Sequence, residues 1–226
     1  MMKFEEKSFG SFEYVIRYPH GFDEGSSKKY PVVLFLHGSG TRGHDLSVLK
    51  GNAFFKHTLK MDLPFVTVAP QCNRNSWFDH FETLRDFAVG IQSMNFADPE
   101  RIYLVGVSMG GYGAWELAMS LPEVFAALIP LCSGGMYWNA GRLGKMPVWA
   151  FHGKKDSVVF VTESQKMVEA LNKKGNDARL TVYKDNGHNV WDDTFTDPAV
   201  FEWMLSQKKG VVSADDGGFR DSKLYG

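Results

Sequence analysis

The chain has 226 residues, 44% of them hydrophobic and 23% charged, with a formal net charge of −1. That is the balance of a globular chain long enough to bury a substantial core. It lacks the concentrated basic field that a nucleic-acid or anionic-membrane partner would need, so neither is expected. Two cysteines, Cys72 and Cys132, are too few for a disulfide scaffold or a CxxC metal site. They read as packed thiols, with pairing left open. The N-terminus has no apolar run suited to a signal peptide, and no segment approaches the roughly 20 apolar residues of a membrane span. The expectation is a soluble, cytoplasmic protein.

In chain order, "FEYVIRYP" (12–19) is β-rich and stops at a proline. "YPVVLFLHG" (30–38) is a near-continuous apolar run, as expected of a strand buried on both faces. "FVTVAPQ" (65–71) is another strand. Leu84, Phe87, Ala88, Ile91 and Met94 fall at helical spacing within 83–95. "RIYLVGV" (101–107) is a strand, followed by a helix from near Ser108 to about Leu121, where Pro122 ends it. Then come "FAALIPLCSG" (strand), "MPVWAFHG" (strand), "TESQKMVEALNKKG" (helix, with Gly175 as C-cap), "ARLTVYKD" (strand) and "PAVFEWMLSQKK" (helix). Such alternation predicts an α/β fold with a mostly parallel central sheet covered by helices on both faces. Residues 1–209 are read as one domain. The Gly- and Asp-rich residues 210–226 are read as a flexible or loosely packed tail.

Between a strand and a helix, Gly106-Val107-Ser108-Met109-Gly110 fits G-x-S-x-G. A sharp strand-to-helix turn lifts the serine Oγ above the sheet edge, and its neighbours must be small because strand and helix nearly touch. A Gly-rich packing turn or a phosphate-cradling loop is the plainer alternative. A serine hydroxyl needs a base, and the base needs an orienting carboxylate. In this strand–turn–helix architecture the order is Ser, acid, His. Only His152 and His188 follow Ser108. His188 lies in a Gly-flanked loop after the last strand, the expected place for the base. His152 ends a strand and reads as structural. Asp156, in "HGKKDSVV", is the favoured acid. Asp185 is the competitor, but it would have to fold back on His188. Asp177 lies at the wrong end of the sheet, and Asp192 and Asp193 follow the histidine. The backbone N–H of Met109 is one candidate oxyanion donor. The other should come from the loop after the early strand, "LHGSGTRG", which resembles HG-type oxyanion loops with the matching N–H at Ser39; a simple Gly turn is the plainer alternative.

Strand-HGSG, strand-GVSMGG-helix, strand-HGKKD and strand-NGH together resemble the α/β-hydrolase superfamily from about Tyr30 to Lys208. The local wording is most similar to compact bacterial esterases near the polyhydroxybutyrate-depolymerase-like, feruloyl-esterase-like and dienelactone-hydrolase-like groups. The resemblance implies carboxylester hydrolysis without metal or cofactor. It carries Ser108, Asp156 and His188 as the triad, with Ser39 and Met109 as oxyanion donors. Dienelactone hydrolases use a cysteine nucleophile, so Ser108 points to ordinary esterase chemistry. The residues before Tyr30 resemble the extra antiparallel edge strands common in that fold.

Aromatic residues in loops at the strand C-terminal ends suggest an apolar or sugar-stacking cleft, with Trp77, Trp138 and Trp191 as candidate substrate contacts. Trp115, Trp149 and Trp203 read as core. Only the interval from Cys132 to Lys145 is long enough for a lid, so a shallow cleft is expected. It would suit a small-molecule or carbohydrate-linked ester. A serine peptidase and a non-catalytic binding protein of the same fold are the competing readings.

Overall fold

The computed structural model describes residues 3–209, so the expected tail at 210–226 lies outside the described residues. The strands are β1 (Phe4–Phe9), β2 (Phe12–Arg17), β3 (Tyr30–Leu36), β4 (Val66–Gln71), β5 (Ala97–Val107), β6 (Ala127–Leu131), β7 (Trp149–Gly153) and β8 (Arg179–Tyr183). The α-helices are α1 (Leu46–Lys50), α2 (Ala53–Thr58), α3 (Phe81–Ile91), α4 (Met109–Ser120), α5 (Thr162–Lys173), α6 (Trp191–Thr196) and α7 (Pro198–Ser206). Among the described residues the strands form one eight-stranded sheet in the order β1-β2-β4-β3-β5-β6-β7-β8. The β1/β2 and β2/β4 pairs are antiparallel, and every pair from β4/β3 onward is parallel.

Every residue of β3 is buried. Val32, Leu34 and Leu36 enter one core and Val33 and Phe35 the other, because successive side chains on a strand point to opposite faces. The first core takes the apolar stripe of α3, with Leu84, Phe87, Ala88 and Ile91, together with Trp115 of α4 and Met167 and Leu171 of α5. The second takes Phe54 and Phe55 of α2, Phe195 of α6 and Val200, Phe201 and Met204 of α7. Phe35 stacks on Phe54 with ring centroids 4.4 Å apart. Pro31 lacks an N–H for the ladder, and the β3/β5 register shifts between Tyr30 and Val32.

Gly175 has φ +82, so it ends α5 in the left-handed conformation expected of it. The sequence reading had not assigned α1, α2 or α6. Two of them carry a legible start: the side chains of Asp45 and Asn52 accept from Ser47 N–H and Phe54 N–H and cap α1 and α2. Both cysteines are free thiols, and they point into different cores, Cys72 into the first and Cys132 into the second. Trp115 is buried as expected, whereas Trp149 and Trp203 are half-buried and pack edge to face at 5.3 Å beneath Arg179. No helix among the described residues is long and apolar enough to cross a membrane.

Candidate active site

Ser108 stands between β5 and α4 with φ 54° and ψ −117°, a region that L-residues avoid and that costs on the order of 1–3 kcal/mol. The surrounding packing enforces it. A methyl group on Gly106 would strike the Gly110 carbonyl and come within 2.8 Å of Ala114 Cβ. One on Gly110 would strike the Leu36 carbonyl and come within 2.6 Å of the His37 carbonyl oxygen. The spacing of small residues around Ser108 is therefore a steric requirement of β3, β5 and α4 meeting at one point.

The three side chains far apart in sequence meet there. His188 Nδ1 lies 2.7 Å from Asp156 Oδ2, and His188 Nε2 lies 2.8 Å from Ser108 Oγ. A carboxylate accepts, so Nδ1 carries the proton and Nε2 presents its lone pair to the serine hydroxyl. Oδ1 of Asp156 accepts from the N–H groups of Val158 and Val159, each at 2.9 Å. Burial by itself would raise the Asp156 carboxyl. The His188 hydrogen bond and the Val159 and Val158 amides outweigh it and hold the group below the usual carboxylate range. The competing acids are engaged elsewhere: exposed Asp185 pairs with Lys155 at 2.9 Å, and Asp192 lies 2.6 Å from His57. The loop carrying His188 rests directly on the end of β7. A methyl on Gly153 would strike the Gly187 carbonyl and come within 2.5 Å of the Asn186 carbonyl oxygen. Sequence reasoning had not singled out Gly153.

The Ser39 loop abuts Ser108, since a methyl on Gly38 would lie 3.6 Å from Ser108 Cβ. The backbone N–H groups of Ser39 and Met109 have no acceptor among the described residues. His37 fixes the first of them. Its Nε2 accepts from Cys72 N–H at 2.9 Å, so its Nδ1 bears the proton and donates to the Gly38 carbonyl at 2.7 Å. In a trans peptide the carbonyl and the next N–H point opposite ways, so pinning the Gly38 carbonyl sets the direction of Ser39 N–H. Burial lowers His37 to about 4, which keeps the ring neutral in this role.

The three candidate tryptophans separate. Trp191, half-buried at the start of α6, places its ring 6.0 Å from that of His188. Trp77 is fully buried, which corrects its reading as a substrate contact. Its indole N–H donates to the His37 carbonyl at 3.0 Å, and its Cβ would lie 2.9 Å from a methyl on Gly113. It braces the Ser39 loop against α4. Trp138 is 71% exposed in the 3₁₀ turn Tyr137–Leu143 and lines a groove against α5 with Lys166 and Lys173. None of Ser108, Asp156 and His188 lines that groove.

Ligand atoms of Cys132, His152 and Asp156 lie within 4.8 Å of one another, all buried. Burial pushes the Cys132 thiol up to about 12, and both ring nitrogens of His152 already have hydrogen-bond partners. That chemistry fits a polar network better than a cation site.

The fold is that of the α/β-hydrolases. Residues 76–198, more than half the chain, match the dienelactone hydrolase family model, and the chain belongs to that family. Among solved structures, a thermostable esterase is similar with 29% identity and a TM-score of 0.73, over 92% of this chain and 63% of that one. A ferulic acid esterase is similar with 16% identity and a TM-score of 0.65, over 90% and 96%. The dipeptidyl peptidase 4 of Porphyromonas gingivalis is similar with 15% identity and a TM-score of 0.69, over 91% of this chain and 35% of that one. The chain thus spans 63% of the thermostable esterase and 35% of the peptidase. A search of curated proteins gives no match.

Proposed function

We propose that this protein is a serine carboxylesterase with Ser108, His188 and Asp156 as its catalytic triad. The observation that carries the reading is the unbroken hydrogen-bonded run Asp156–His188–Ser108, at 2.7 and 2.8 Å. Ser108 Oγ attacks the ester carbonyl while His188 Nε2 takes its proton. Asp156 holds the reactive tautomer and stabilises the imidazolium. The N–H groups of Ser39 and Met109 receive the oxyanion, where losing one donor typically costs about 10²–10³ in rate. The alcohol leaves with the proton from His188. Water then attacks the acyl-enzyme, His188 again taking its proton, and the acid is released with Ser108 restored. No step calls on a metal or cofactor.

A small acyl group, such as acetyl, or a feruloyl group linked to a polysaccharide suits the site. Ser108 is half-exposed, and the His188 side chain is 19% exposed. The 132–145 segment, the candidate lid, packs Ala140 and Leu143 into the core. Trp191 is the aromatic neighbour of the base. Trp138 would meet only a distal part of a long substrate. Localisation in the cytoplasm and a free ester or carbohydrate-linked partner remain parts of this proposal.

The test is pre-steady-state hydrolysis of p-nitrophenyl acetate, run beside an aminoacyl p-nitroanilide. The wild type should release a burst of nitrophenol equal to the enzyme concentration, with the anilide turned over far more slowly. Ser108→Ala should show no burst. A burst that survives in Ser108→Ala contradicts the nucleophile, and preference for the anilide makes the enzyme a peptidase.

A further inference from the structure

A second histidine touches the carboxylate of Asp156, and the chemistry above leaves it idle. His152, in β7, is wholly buried. Its Nε2 lies 2.9 Å from the Val159 carbonyl oxygen and 3.3 Å from Asp156 Oδ2. Both of those atoms are acceptors, so Nε2 carries a proton whichever charge state the ring adopts. Oδ2 is the oxygen that also takes the His188 N–H. The carboxylate thus takes two amide N–H groups on Oδ1 and the His188 N–H on Oδ2, with the ring of His152 packed 3.3 Å from Oδ2.

The ring of His152 is itself fixed. Nδ1 lies 2.8 Å from Ser164 Oγ on α5, and that hydroxyl lies 2.7 Å from the Ser133 carbonyl beyond β6. The hydroxyl has one proton for two neighbours. Given to Nδ1, it leaves the imidazole neutral; given to Ser133, it requires imidazolium. Burial lowers the His152 pKa, against the pull of the Val159 carbonyl and of Asp156, and so favours the neutral ring. In both cases the Nε2 proton is donated to the Val159 carbonyl, and the same ring edge stands 3.3 Å from Asp156 Oδ2.

Without His152, Oδ2 would lose the ring packed against it, and the carboxylate would be freer to swing about its Cβ–Cγ bond on the two amides that hold Oδ1. We propose that His152 is a positioning residue of the triad, which locks the plane of the Asp156 carboxylate from its buried side so that His188 stays aimed at Ser108. This rests on the triad reading above. The line of support is Ser133, Ser164, His152, Asp156, His188 and Ser108, drawn in turn from the loop after β6, α5, β7, the loop after β7, the loop after β8 and the junction of β5 with α4.

Two substitutions separate positioning from packing. Glutamine can place an amide N–H where Nε2 stands, whereas asparagine reaches only the place of Nδ1. His152→Asn should lower kcat on p-nitrophenyl acetate by about 10- to 100-fold, the scale of a misplaced catalytic group, with KM within about twofold. It should also shift or broaden the low-field proton NMR resonance of His188 Nδ1–H. His152→Gln should recover most of kcat and the resonance. Ser164→Ala, a milder change, should lower kcat severalfold and broaden the same resonance if His152→Asn does not fold. The idea is overturned by wild-type kcat in His152→Asn, by equal losses in the Asn and Gln variants with the resonance unmoved, or by an unaffected Ser164→Ala. Ser108→Ala in the same panel keeps the two claims apart. An active Ser108→Ala removes the triad itself, while an inert one beside a fully active His152→Asn removes only the role of His152.

Discussion

The junctions that deliver Ser108 and Asp156 both run from a strand to a helix, yet they are built on opposite principles. Between β5 and α4 the chain is shaped by exclusion. Gly106, Gly110 and Gly113 let backbone and ring atoms approach so closely that Ser108 is left with a left-handed φ of 54°. Between β7 and α5 the chain is shaped by hydrogen bonds. The Val158 and Val159 amides, His188 and His152 surround one carboxylate. Packing contacts are all-or-none, because a core cannot yield a whole methyl. Hydrogen bonds can be removed one at a time. Damage at the first junction should therefore appear as lost folding, and damage at the second as graded loss of rate in a folded protein.

The sharpest way to break that contrast is Gly110→Ala. Its methyl would strike the Leu36 carbonyl, so the variant should lose about 4 kcal/mol or more of stability, or fail to fold, in urea denaturation. A folded, fully stable variant would mean that the junction is not set by contact. Next in size is Asp156→Asn. Its amide oxygen can still accept from the two valine amides, but its NH₂ would face His188 and invert the tautomer. The expected outcome is about a 10⁴-fold fall in kcat with the thermal midpoint nearly unchanged. A matching collapse in stability would erase the difference between the junctions.

The third loop, His37–Ser39, is of the hydrogen-bonded kind, and pH probes it. His37 protonates at about 4 in the folded chain, against 6.5 when unperturbed. Between those values the unfolded chain binds more protons, so stability falls as pH falls. Above 6.5 neither state is charged, and below 4 both are. From pH 7 to pH 5, above the range of most carboxylates, this histidine should remove about 2 kcal/mol of unfolding free energy. His152, also lowered by burial, acts in the same direction. A flat urea midpoint across that interval would contradict the neutral, donating ring that orients Ser39.

What the sequence disclosed follows the same division. The alternating elements, the buried β3 and the Gly-x-Ser-x-Gly turn are written in local patterns of size and hydrophobicity, and the sheet and the Ser108 elbow stand where those patterns put them. The meeting of Ser108, Asp156 and His188 was legible because chain order and loop position narrow the choice of base and acid to a few residues. Trp77 misled, because an aromatic in a loop beside an expected site looks the same whether it faces solvent or turns inward. Only the fold shows its indole N–H on the His37 carbonyl. The helices α1 and α2 were missed for a simpler reason: they are only 5 and 6 residues long, too short to show a period, although Asp45 and Asn52 mark their starts. The approach of His152 to Asp156 could not be read at all, since it depends on a distance of 3.3 Å between a side chain of β7 and one of the loop that follows it.

The central claim is that Ser108 is a nucleophile activated by His188. Incubation with a fluorophosphonate, followed by peptide mass spectrometry, tests it most directly. The account predicts one adduct on the peptide bearing Ser108, none in Ser108→Ala, and greatly slowed labelling in His188→Gln. Folded wild-type protein that takes no adduct at Ser108, or labels there equally fast without His188, would contradict it.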